Sequence, residues 1–542
     1  MQYKNYKPNY TKMKNKGLSL LLFFMATLVL TAQNKNTEFV VHPFLQDATP
    51  NSIIIKWETS NGEESTVEWG TSPKLGKKSK GTAYDINFGD SRIHEVKVEG
   101  LKRFTTYYYR VRTGKLVSDT FQFKTPPFAS DNESFNMLAM SDMQIDGEHP
   151  DKFSEIVNEG IIPFLKQEYG ESVPENLALV MIPGDLVSDG TNYTHWNDHF
   201  FRPSKNLFAE VPVYPVLGNH EKNTAFYFKY FSLPENGTPA YAEHWWYKDH
   251  GNVRIIGLNS NDGYRDVKEQ YVWLKEVLED AEKNVDIDFV FAQLHHPHKS
   301  ELWIPGEEES TGKVVKMLEA FTDKTGKPSL HFFGHTHGYS RGQSKDHKHL
   351  WVNVASAGGA IDNWGEFEGR DYDEFTVTQD EYGFVMVEVD ANPDQPKFTL
   401  KRISRGNENV FRNNEKTDEI TIYAKPRKPN TPQPISLKEE TPITGTVLKA
   451  GPFSSNFEGA YHDASHWQIA TDKEFTKLVL DSWKQSENWY YLENRQEGDD
   501  LTDEPTKRLS GNTTYFWRVR YRDQNLNWSD WSAVETFKTV TK

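Results

Sequence analysis

Five short apolar runs in this sequence are each followed by carboxylate, amide or imidazole side chains. In chain order these side chains belong to Asp142 and Gln144, Asp185, Asn219 with His220 and Glu221, His295 with His296, and His335 with His337. Oxygen and imidazole ligands together suit a borderline divalent or trivalent metal ion. Seven or eight such groups would overcrowd one ion. Two ions bridged by one carboxylate would use them, and such a pair is suited to phosphoester hydrolysis.

The apolar runs predict the strands that would hold these side chains. Runs such as "FNMLAM", "LALVMI", "VPVYPVL", "VRIIGL", "FVFAQL", "LHFF" and "WVNVAS" alternate with helix-like stretches such as "EQYVWLKEVLEDAEKN". This pattern indicates an α/β domain with covered sheets. Functional groups gather at the carboxyl ends of strands in open α/β sheets, so the five polar segments are expected to converge. Gly184, Gly218 and Gly334 are expected to let the chain turn sharply there.

Each segment alone also has an ordinary explanation as a turn or strand end, but five in a fixed order favour a shared site. The ordered set D-x-Q, GD, GNHE, HHP and GHTH resembles the signature of calcineurin-like metallophosphoesterases, over residues 133–425. The resemblance implies a four-layer α/β/β/α sandwich and a two-metal centre that hydrolyses phosphomonoesters or phosphodiesters. It also implies that a hydroxide bridging the two metals attacks phosphorus in line.

The same resemblance implies a role for each candidate residue. Asp185 would bridge the two ions, and His220 would lie beside the substrate phosphate, stabilising charge or protonating the leaving oxygen. The remaining ligands would be Asp142, His337 and Gln144 for one ion, and Asn219, His295 and His335 for the other. Glu221 is expected to orient His220, or alternatively to cap a helix or lie on the surface.

Two further histidines and two departures from the family pattern complete the predicted site. His296 is expected to line the pocket or support a ligand, and His298 to be a satisfied or exposed loop histidine. Gln144 stands where the family most often has histidine, and a neutral oxygen ligand favours magnesium, manganese or iron(II) over zinc. Purple acid phosphatases have a tyrosine three residues after the bridging aspartate, where this chain has Ser188. We therefore expect no purple tyrosinate-to-iron(III) colour.

Two distant segments repeat one another and predict a β-sandwich on each side of the α/β domain. "LKRFTTYYYRVR" and "LSGNTTYFWRVR" share Leu, Thr-Thr-Tyr and Arg-Val-Arg at identical spacing. Each is typical of a late sandwich strand with a corner tyrosine, Tyr107 or Tyr515. The first sandwich, residues 36–127, resembles a fibronectin type III module and the N-terminal domain of purple acid phosphatases. The second, residues 435–542, follows a Pro-rich linker at 426–434 that suits a semi-rigid spacer.

The second sandwich ends in "WSDWS", which resembles the tryptophan motif of fibronectin-type receptor modules. Arg518, Arg520 and Arg522 would share one face of a strand, where they could stack on Trp528 and Trp531. A structural ladder that covers this face is the favoured interpretation. A carbohydrate contact is the alternative.

The N-terminus and the charge balance predict export and limit the partners. Lysines at 4, 7, 12, 14 and 16 precede an apolar run from Leu18 to Thr31, which indicates a signal peptide over residues 1–32, with a retained anchor as the alternative. After cleavage no membrane span is expected, and we predict a periplasmic or secreted protein. The formal net charge of −16 disfavours general nucleic-acid binding. The chain has no cysteine, so stability must come from cores, metals or domain packing.

Together these features predict a multidomain, exported, dinuclear-metal phosphoesterase, with small phosphomonoesters as the favoured substrates. The metals could be Mn, Fe, Mg or Zn. The alternatives are a phosphodiesterase acting on nucleotides or lipid headgroups, and a weakly catalytic or non-catalytic protein that binds surface polysaccharide. The segments "DGTNYTHWNDHF", "PGEEEST" and "SAGGAIDNWGEFEGRDYDEF" are expected to border the pocket, where an acidic rim would repel polyphosphates, or else to be ordinary exposed loops.

Overall fold

The computed structural model describes residues 36–540 except 366, 368, 369, 426, 439 and 491. The predicted signal peptide at residues 1–32 lies outside this range. Within the described range, no helix is both long and apolar enough to cross a membrane.

The first domain is a β-sandwich of two antiparallel sheets. Its strands are β1 Phe39–Thr49, β2 Ser52–Thr59, β3 Thr66–Gly70, β4 Lys77–Lys80, β5 Thr82–Asp85, β6 Arg92–Glu99, β7 Thr106–Thr113, β8 Leu116–Val117 and β9 Phe121–Lys124. The sheet orders are β1-β2-β6-β5 and β4-β3-β7-β8, with β9 pairing with β7. Inward side chains such as Trp57 and Tyr109 fill the space between them. Tyr107 is a corner tyrosine, because its hydroxyl accepts a 2.8 Å hydrogen bond from the backbone N–H of Lys102.

The central domain contains two mixed sheets, ordered β12-β11-β10-β20-β21-β22 and β13-β14-β15-β16-β18-β17-β19. Its strands are β10 Phe135–Ala139, β11 Leu179–Ile182, β12 Val213–Pro215, β13 Trp246–His250, β14 Val253–Gly257, β15 Phe289–Gln293, β16 Ser329–Phe333, β17 Tyr339–Gln343, β18 His349–Asn353, β19 Phe375–Gln379, β20 Tyr382–Asp390, β21 Lys397–Gly406 and β22 Phe411–Tyr423. All seven apolar runs quoted above therefore contain a strand. β10, β11 and β12 are parallel, as are β14, β15, β16 and β18.

Helices accompany both sheets. Their bounds are Lys152–Glu155, Ile162–Tyr169, Val173–Asn176, Tyr193–His195, Arg202–Phe208, Ala225–Tyr230, Lys268–Lys283 and Glu309–Thr325, with π-helical turns at Ile156–Ile161 and Trp196–Phe201 and 3-10 turns at Ala129–Asp131, Pro239–Tyr241 and Ile304–Gly306. The helix Lys268–Lys283 buries residues spaced three and four apart, including Trp273, Leu274 and Val277, which is the pattern of an amphipathic helix lying on a sheet. One core joins residues of both sheets, including Phe291 from β15 and Phe398 from β21.

The third domain is a second β-sandwich with a small hairpin. Its strands are β23 Pro434–Ile435, β24 Glu440–Pro442, β25 Val447–Ala450, β26 His462–Ala470, β27 Leu478–Gln485, β28 Trp489–Tyr490, β29 Glu493–Asn494, β30 Asp503–Pro505, β31 Thr514–Asp523 and β32 Glu535–Val540. The larger sheet has the order β24-β32-β31-β26-β27. Tyr515 repeats the corner of the first sandwich, since its hydroxyl accepts from the backbone N–H of Ser510 at 3.0 Å.

Arginine and tryptophan side chains stack along β31 as the sequence predicts. Arg518 lies 4.1 Å from the ring centroid of Trp531, and Arg520 lies 4.4 Å from that of Trp528. The buried Arg522 completes the ladder at 5.3 Å from Trp528. These contacts give the ladder a structural role, and a carbohydrate contact stays a prediction.

The ladder also contacts the central domain at the hairpin between β17 and β18. Arg522 donates to the backbone carbonyls of Ser344 at 2.8 Å and His347 at 2.6 Å. The indole N–H of Trp528 donates to the carbonyl of Lys345 at 2.7 Å. The Pro-rich linker lies against the third domain, where Asn430 N donates to Ser454 O at 2.9 Å. These contacts fix the third domain to the central domain.

Candidate metal centre

The predicted polar segments meet at one edge of the central domain. Asp142, Asp185 and Asn219 follow the parallel strands β10, β11 and β12 of one sheet, and His295 and His335 follow β15 and β16 of the other. Their ligand atoms form two groups, Asp142, Asp185 and His295, and His295, His296 and His335, within each of which all atoms lie within 4.8 Å of one another. His295 belongs to both groups, so the two sheets build one site between them.

One side of the site is built from Asp142, His337 and Gln144. Oδ1 of Asp142 lies 3.2 Å from Nε2 of His337, and the amide Nε2 of Gln144 donates to the same imidazole nitrogen at 2.8 Å. Nδ1 of His337 donates to the carbonyl of Ala360 at 2.6 Å. A carbonyl can only accept, so the neutral imidazole presents its lone pair at Nε2 to the Asp142 carboxylate.

The other side is built from Asp185, His295 and Asn219. Nδ1 of His295 donates to the carbonyl of Pro183 at 2.9 Å, which leaves its Nε2 lone pair facing the site. That nitrogen lies 3.1 Å from Oδ2 of Asp185 and 3.0 Å from Oδ1 of Asn219. Three acceptor atoms thus point at the same small volume.

This donor set fits metal ions. The lone pairs of the buried His295 and the half-buried His337 face carboxylate oxygens, an arrangement that needs a positive charge between the partners. Burial lowers the pKa of His295, but the Asp185 carboxylate outweighs burial and raises the pKa to about 9, and Asp142 does the same for His337. A metal ion would supply that charge in place of a proton. Oε1 of Gln144 is buried without a hydrogen-bond partner, so an oxygen ligand is available beside His337.

Strained backbone aims three of these side chains. Asp142, Asp185 and His335 have positive φ values of 62°, 54° and 71°. This left-handed conformation costs non-glycine residues about 1–3 kcal/mol each, and it persists only where the surroundings enforce it. No sequence motif signals it, because aspartate and histidine adopt this conformation only occasionally, whereas glycine adopts it freely.

The three glycines that precede ligands do not all serve the predicted purpose. Only Gly184 has a left-handed φ, 95°. A Cβ atom at Gly218 would collide with Oδ1 of Asp185, and one at Gly334 with Oδ2 of Asp142. Gly184 therefore uses the left-handed backbone that glycine allows, whereas glycine at 218 and 334 makes room for a carboxylate, a role that the sequence did not predict.

Glu221 binds the backbone of the loops that carry the ligands and does not orient His220. It is fully buried, and its carboxylate accepts hydrogen bonds from the backbone N–H groups of Asp185 at 3.0 Å, Leu186 at 2.7 Å and Gly218 at 2.7 Å. Burial raises the pKa of Glu221, and these donors oppose that rise. The carboxylate thus holds together the two loops that carry Asp185 and Asn219.

His220 is oriented by a different neighbour. Its Nδ1 donates to the carbonyl of Ser188 at 2.8 Å, and its Nε2 lies 3.8 Å from Oδ2 of Asp185. The side chain is 35% exposed, so it stands at the open side of the site, beside the buried ligands. His220 can therefore reach a bound molecule.

Sequence reasoning missed several supporting residues. Asp362 accepts from the backbone N–H of His337 at 2.7 Å, and no motif pointed to it or to the Ala360 carbonyl. Ser260 contacts His295 and His296, and it follows β14. The rule that polar groups gather at strand ends could therefore have found Ser260. His298 lies in the loop after β15, against Trp351. Its Nδ1 is buried without a hydrogen-bond partner, so the prediction of a satisfied or exposed side chain is wrong.

The segment at residues 189–200 borders the site in part, but it is not the open loop that was predicted. It becomes helical from Tyr193, and the aromatic rings of Trp196 and Phe200 are buried in the core. Two parts of the segment border the site: Gly190 N donates to the backbone carbonyl of His220 at 2.8 Å, and Asp198 and His199 line a cavity together with Gln144 and Gly358. The four-residue spacing of Trp196 and Phe200 is typical of a helix with one face packed against the core.

Comparison with known families agrees with this geometry. The family model described as "Calcineurin-like phosphoesterase" matches residues 135–339. The central segment is a calcineurin-like phosphoesterase domain. The family model described as "Purple acid Phosphatase, N-terminal domain" matches residues 40–125. The model described as "Rha78A-like, N-terminal immunoglobulin domain" matches residues 456–541. The calcineurin-like domain is thus flanked by two β domains, as expected.

Individual relatives are distant. Purple acid phosphatase 22 of Arabidopsis thaliana is 26% identical over 316 residues, which are 56% of this chain and 65% of that protein. A purple acid phosphatase from yellow lupin (Lupinus luteus) seeds has a structure that matches 70% of this chain and 74% of its own, with 16% identity and a TM-score of 0.54. The structure of PhoD matches 71% of this chain and 91% of its own, with 12% identity and a TM-score of 0.50. The two structures show the shared fold.

Proposed function

We propose that this chain is an exported, metal-dependent phosphoric ester hydrolase with a dinuclear centre and a preference for phosphomonoesters. The observation that carries the proposal is the set of acceptor atoms around His295, whose Nε2 faces Oδ2 of Asp185 and Oδ1 of Asn219. The Arabidopsis relative is named as a phosphatase, which supports the monoester preference. The apolar run from Leu18 to Thr31 after five lysines supports export.

The residues around the two positions would divide the work. Asp142, His337 and Gln144 would hold one cation, Asn219, His295 and His335 the other, and Asp185 would contact both. Bound cations would neutralise phosphoryl oxygens and lower the pKa of water. Glu221 keeps the two ligand loops at a fixed separation. His220, held through Nδ1, would present Nε2 to the phosphate ester and pass a proton to the leaving oxygen.

The test is hydrolysis of p-nitrophenyl phosphate and bis(p-nitrophenyl) phosphate after separate loading with manganese, magnesium, iron and zinc. We expect metal-dependent turnover with faster cleavage of the monoester. Asp185→Asn should lower kcat by about 100- to 1000-fold or more, because charge stabilisation at the reacting group is lost. Asp266→Asn is the matched control, since Asp266 is an exposed partner of Lys313.

The outcomes separate the alternatives. Faster cleavage of the diester would replace the monoester preference with a phosphodiesterase activity. Absence of turnover with all four metals, in protein that binds them and stays folded, would contradict the proposal and favour a binding protein.

A further inference from the structure

His296 is the second residue of the His295-His296-Pro297-His298 segment, and the proposed mechanism gives it no role. Its ring centroid lies 4.4 Å from that of His335 and 4.9 Å from that of His295. One of its nitrogens belongs to the cluster that these two histidines form. His296 is therefore positioned to contact a ligand that binds between His295 and His335.

Ser260 determines which nitrogen of His296 carries hydrogen. The Ser260 hydroxyl oxygen accepts from the backbone N–H of His295 at 3.1 Å and from that of His296 at 3.0 Å. It also lies 2.9 Å from Nδ1 of His296. A hydroxyl has two lone pairs and one hydrogen. Both lone pairs are used by backbone groups, so the hydroxyl must donate its hydrogen to Nδ1.

The tautomer of His296 follows from this count. An Nδ1 that accepts a hydrogen bond carries no hydrogen, so the neutral ring has its hydrogen on Nε2. This is the opposite of His295 and His337, whose Nδ1 atoms donate to carbonyls and whose Nε2 atoms carry lone pairs. His296 thus offers an N–H donor where its neighbours offer ligand lone pairs. Among the described residues, the side-chain hydrogen bond of His296 is made by Nδ1.

We propose that His296 is a substrate-contacting residue whose Nε2–H donates a hydrogen bond to a phosphoryl oxygen. The inference rests on the proposed phosphoesterase function and adds a donor to it. A fixed N–H aimed at an anionic oxygen stabilises the charge that this oxygen carries. Ser260 is the positioning residue, because its hydroxyl sets the tautomer.

The experiment measures inorganic phosphate binding by calorimetry, together with kcat, KM and metal content, on the metal-loaded protein. For His296→Ala we expect about 10- to 100-fold weaker phosphate binding, as for loss of a hydrogen bond to a charged group, with unchanged metal content. His296→Gln should recover part of the affinity, because its amide keeps an N–H donor. Ser260→Ala should weaken binding less than His296→Ala. His298→Ala, outside the site, is the control and should bind like the original protein.

Two results would overturn the inference. Loss of bound metal in His296→Ala would make His296 a ligand, and phosphate affinity within twofold of the original would remove its contact with the anion. If His296→Ala does not fold, ¹⁵N chemical shifts of labelled histidine in the original protein, assigned with Ser260→Ala, decide the matter. We expect a hydrogen on Nε2 alone, and a hydrogen on Nδ1 would overturn the inference.

These outcomes are distinct from failure of the proposed function. Protein that binds phosphate through His296 but hydrolyses neither ester would refute the hydrolase and keep the donor. Protein that hydrolyses esters equally well with alanine at position 296 would refute the donor and keep the hydrolase.

Discussion

Glu221 joins two ligand loops through three backbone hydrogen bonds, and its replacement tests how much the site depends on that support. In Glu221→Gln an amide NH₂ group would face backbone N–H donors. Each buried donor left without an acceptor costs about 1–3 kcal/mol. We expect a loss of that size in the free energy of unfolding of the central domain, measured by urea denaturation, together with weaker metal binding.

Glu419→Gln is the control for this change, because Glu419 is an exposed partner of Lys416 on β22. It should alter the free energy of unfolding by less than about 0.5 kcal/mol. Equal stability of Glu221→Gln and the control would show that the loops hold their positions without the carboxylate.

Glu301 predicts a pH dependence of stability. Its buried carboxyl group accepts from Tyr372 N and from the Thr378 hydroxyl, both at 2.7 Å, and burial raises its pKa to about 8 from 4.5. A raised carboxyl pKa stabilises the fold fully below pH 4.5, and this contribution is lost as pH rises through 8.

The variant Glu301→Gln cannot ionise, so its melting temperature should fall less between pH 5 and pH 9 than that of the original protein. Differential scanning calorimetry at both pH values measures the difference. Parallel pH profiles for the two proteins would mean that Glu301 is ionised in the folded state throughout.

Residue types and strand ends were sufficient to predict which side chains meet at the site. Asp142, Asp185, Asn219, His295, His335 and His337 all follow buried strands, and parallel strands place their carboxyl ends at one edge. The sequence could not predict the left-handed backbone of Asp185 or the three donors to Glu221. These depend on contacts between loops that are distant in the chain.

Elements from the first domain brace the loop beside His220. The buried Glu58 carboxylate of β2 accepts from the hydroxyls of Tyr193, of Ser91 at 2.5 Å and of Tyr230 at 2.9 Å. Tyr193 begins the helix that follows Ser188 and Gly190, the residues in contact with His220. The N-terminal sandwich therefore holds the start of this helix.

We expect Tyr193→Phe to lower the free energy of unfolding by about 1–3 kcal/mol, because Glu58 loses a hydroxyl donor while it remains buried. Chemical denaturation followed by tryptophan fluorescence measures the loss. Tyr108→Phe is the control, since Tyr108 alternates with the buried Tyr107 and Tyr109 and faces away from the core. A loss no larger than in the control would exclude Tyr193 as a brace.

At the element scale the sequence predicted strands better than the helix at Tyr193. The strands are continuous apolar runs, which leave little choice of interpretation. The helix begins in "DGTNYTHWNDHF", whose glycine, asparagines and aspartates favour a loop locally. Burial of Trp196 and Phe200 in the core overrides that local preference.

For the whole molecule, the arginine–tryptophan ladder predicts how firmly the third domain is held. Trp528→Ala would remove the hydrogen bond to Lys345 O and the stacking of Arg520 and Arg522. Trypsin should then cleave the linker after Arg427, the basic residue there that is not followed by proline, about 5- to 30-fold faster, as for a loss of one or two kcal/mol. Val534→Ala, on the exposed surface of the same domain, should be cleaved at the original rate.

An unchanged cleavage rate in Trp528→Ala would mean that the other contacts between the two domains are enough to hold the third domain in place. The contact between Asn488 and Asp371, at 3.1 Å, is among them.

The contact of Arg522 and Trp528 with three backbone carbonyls also bears on how such chains can be rearranged by recombination. A β-sandwich joined only by a linker is a transferable cassette. This one is not, because moving it alone would break its three hydrogen bonds to these carbonyls and expose the surface around Arg522 and Trp528 that now contacts the central domain. The unit that keeps these contacts includes the 344–348 hairpin, which belongs to the central domain. The third domain and the phosphoesterase domain are therefore expected to be inherited together.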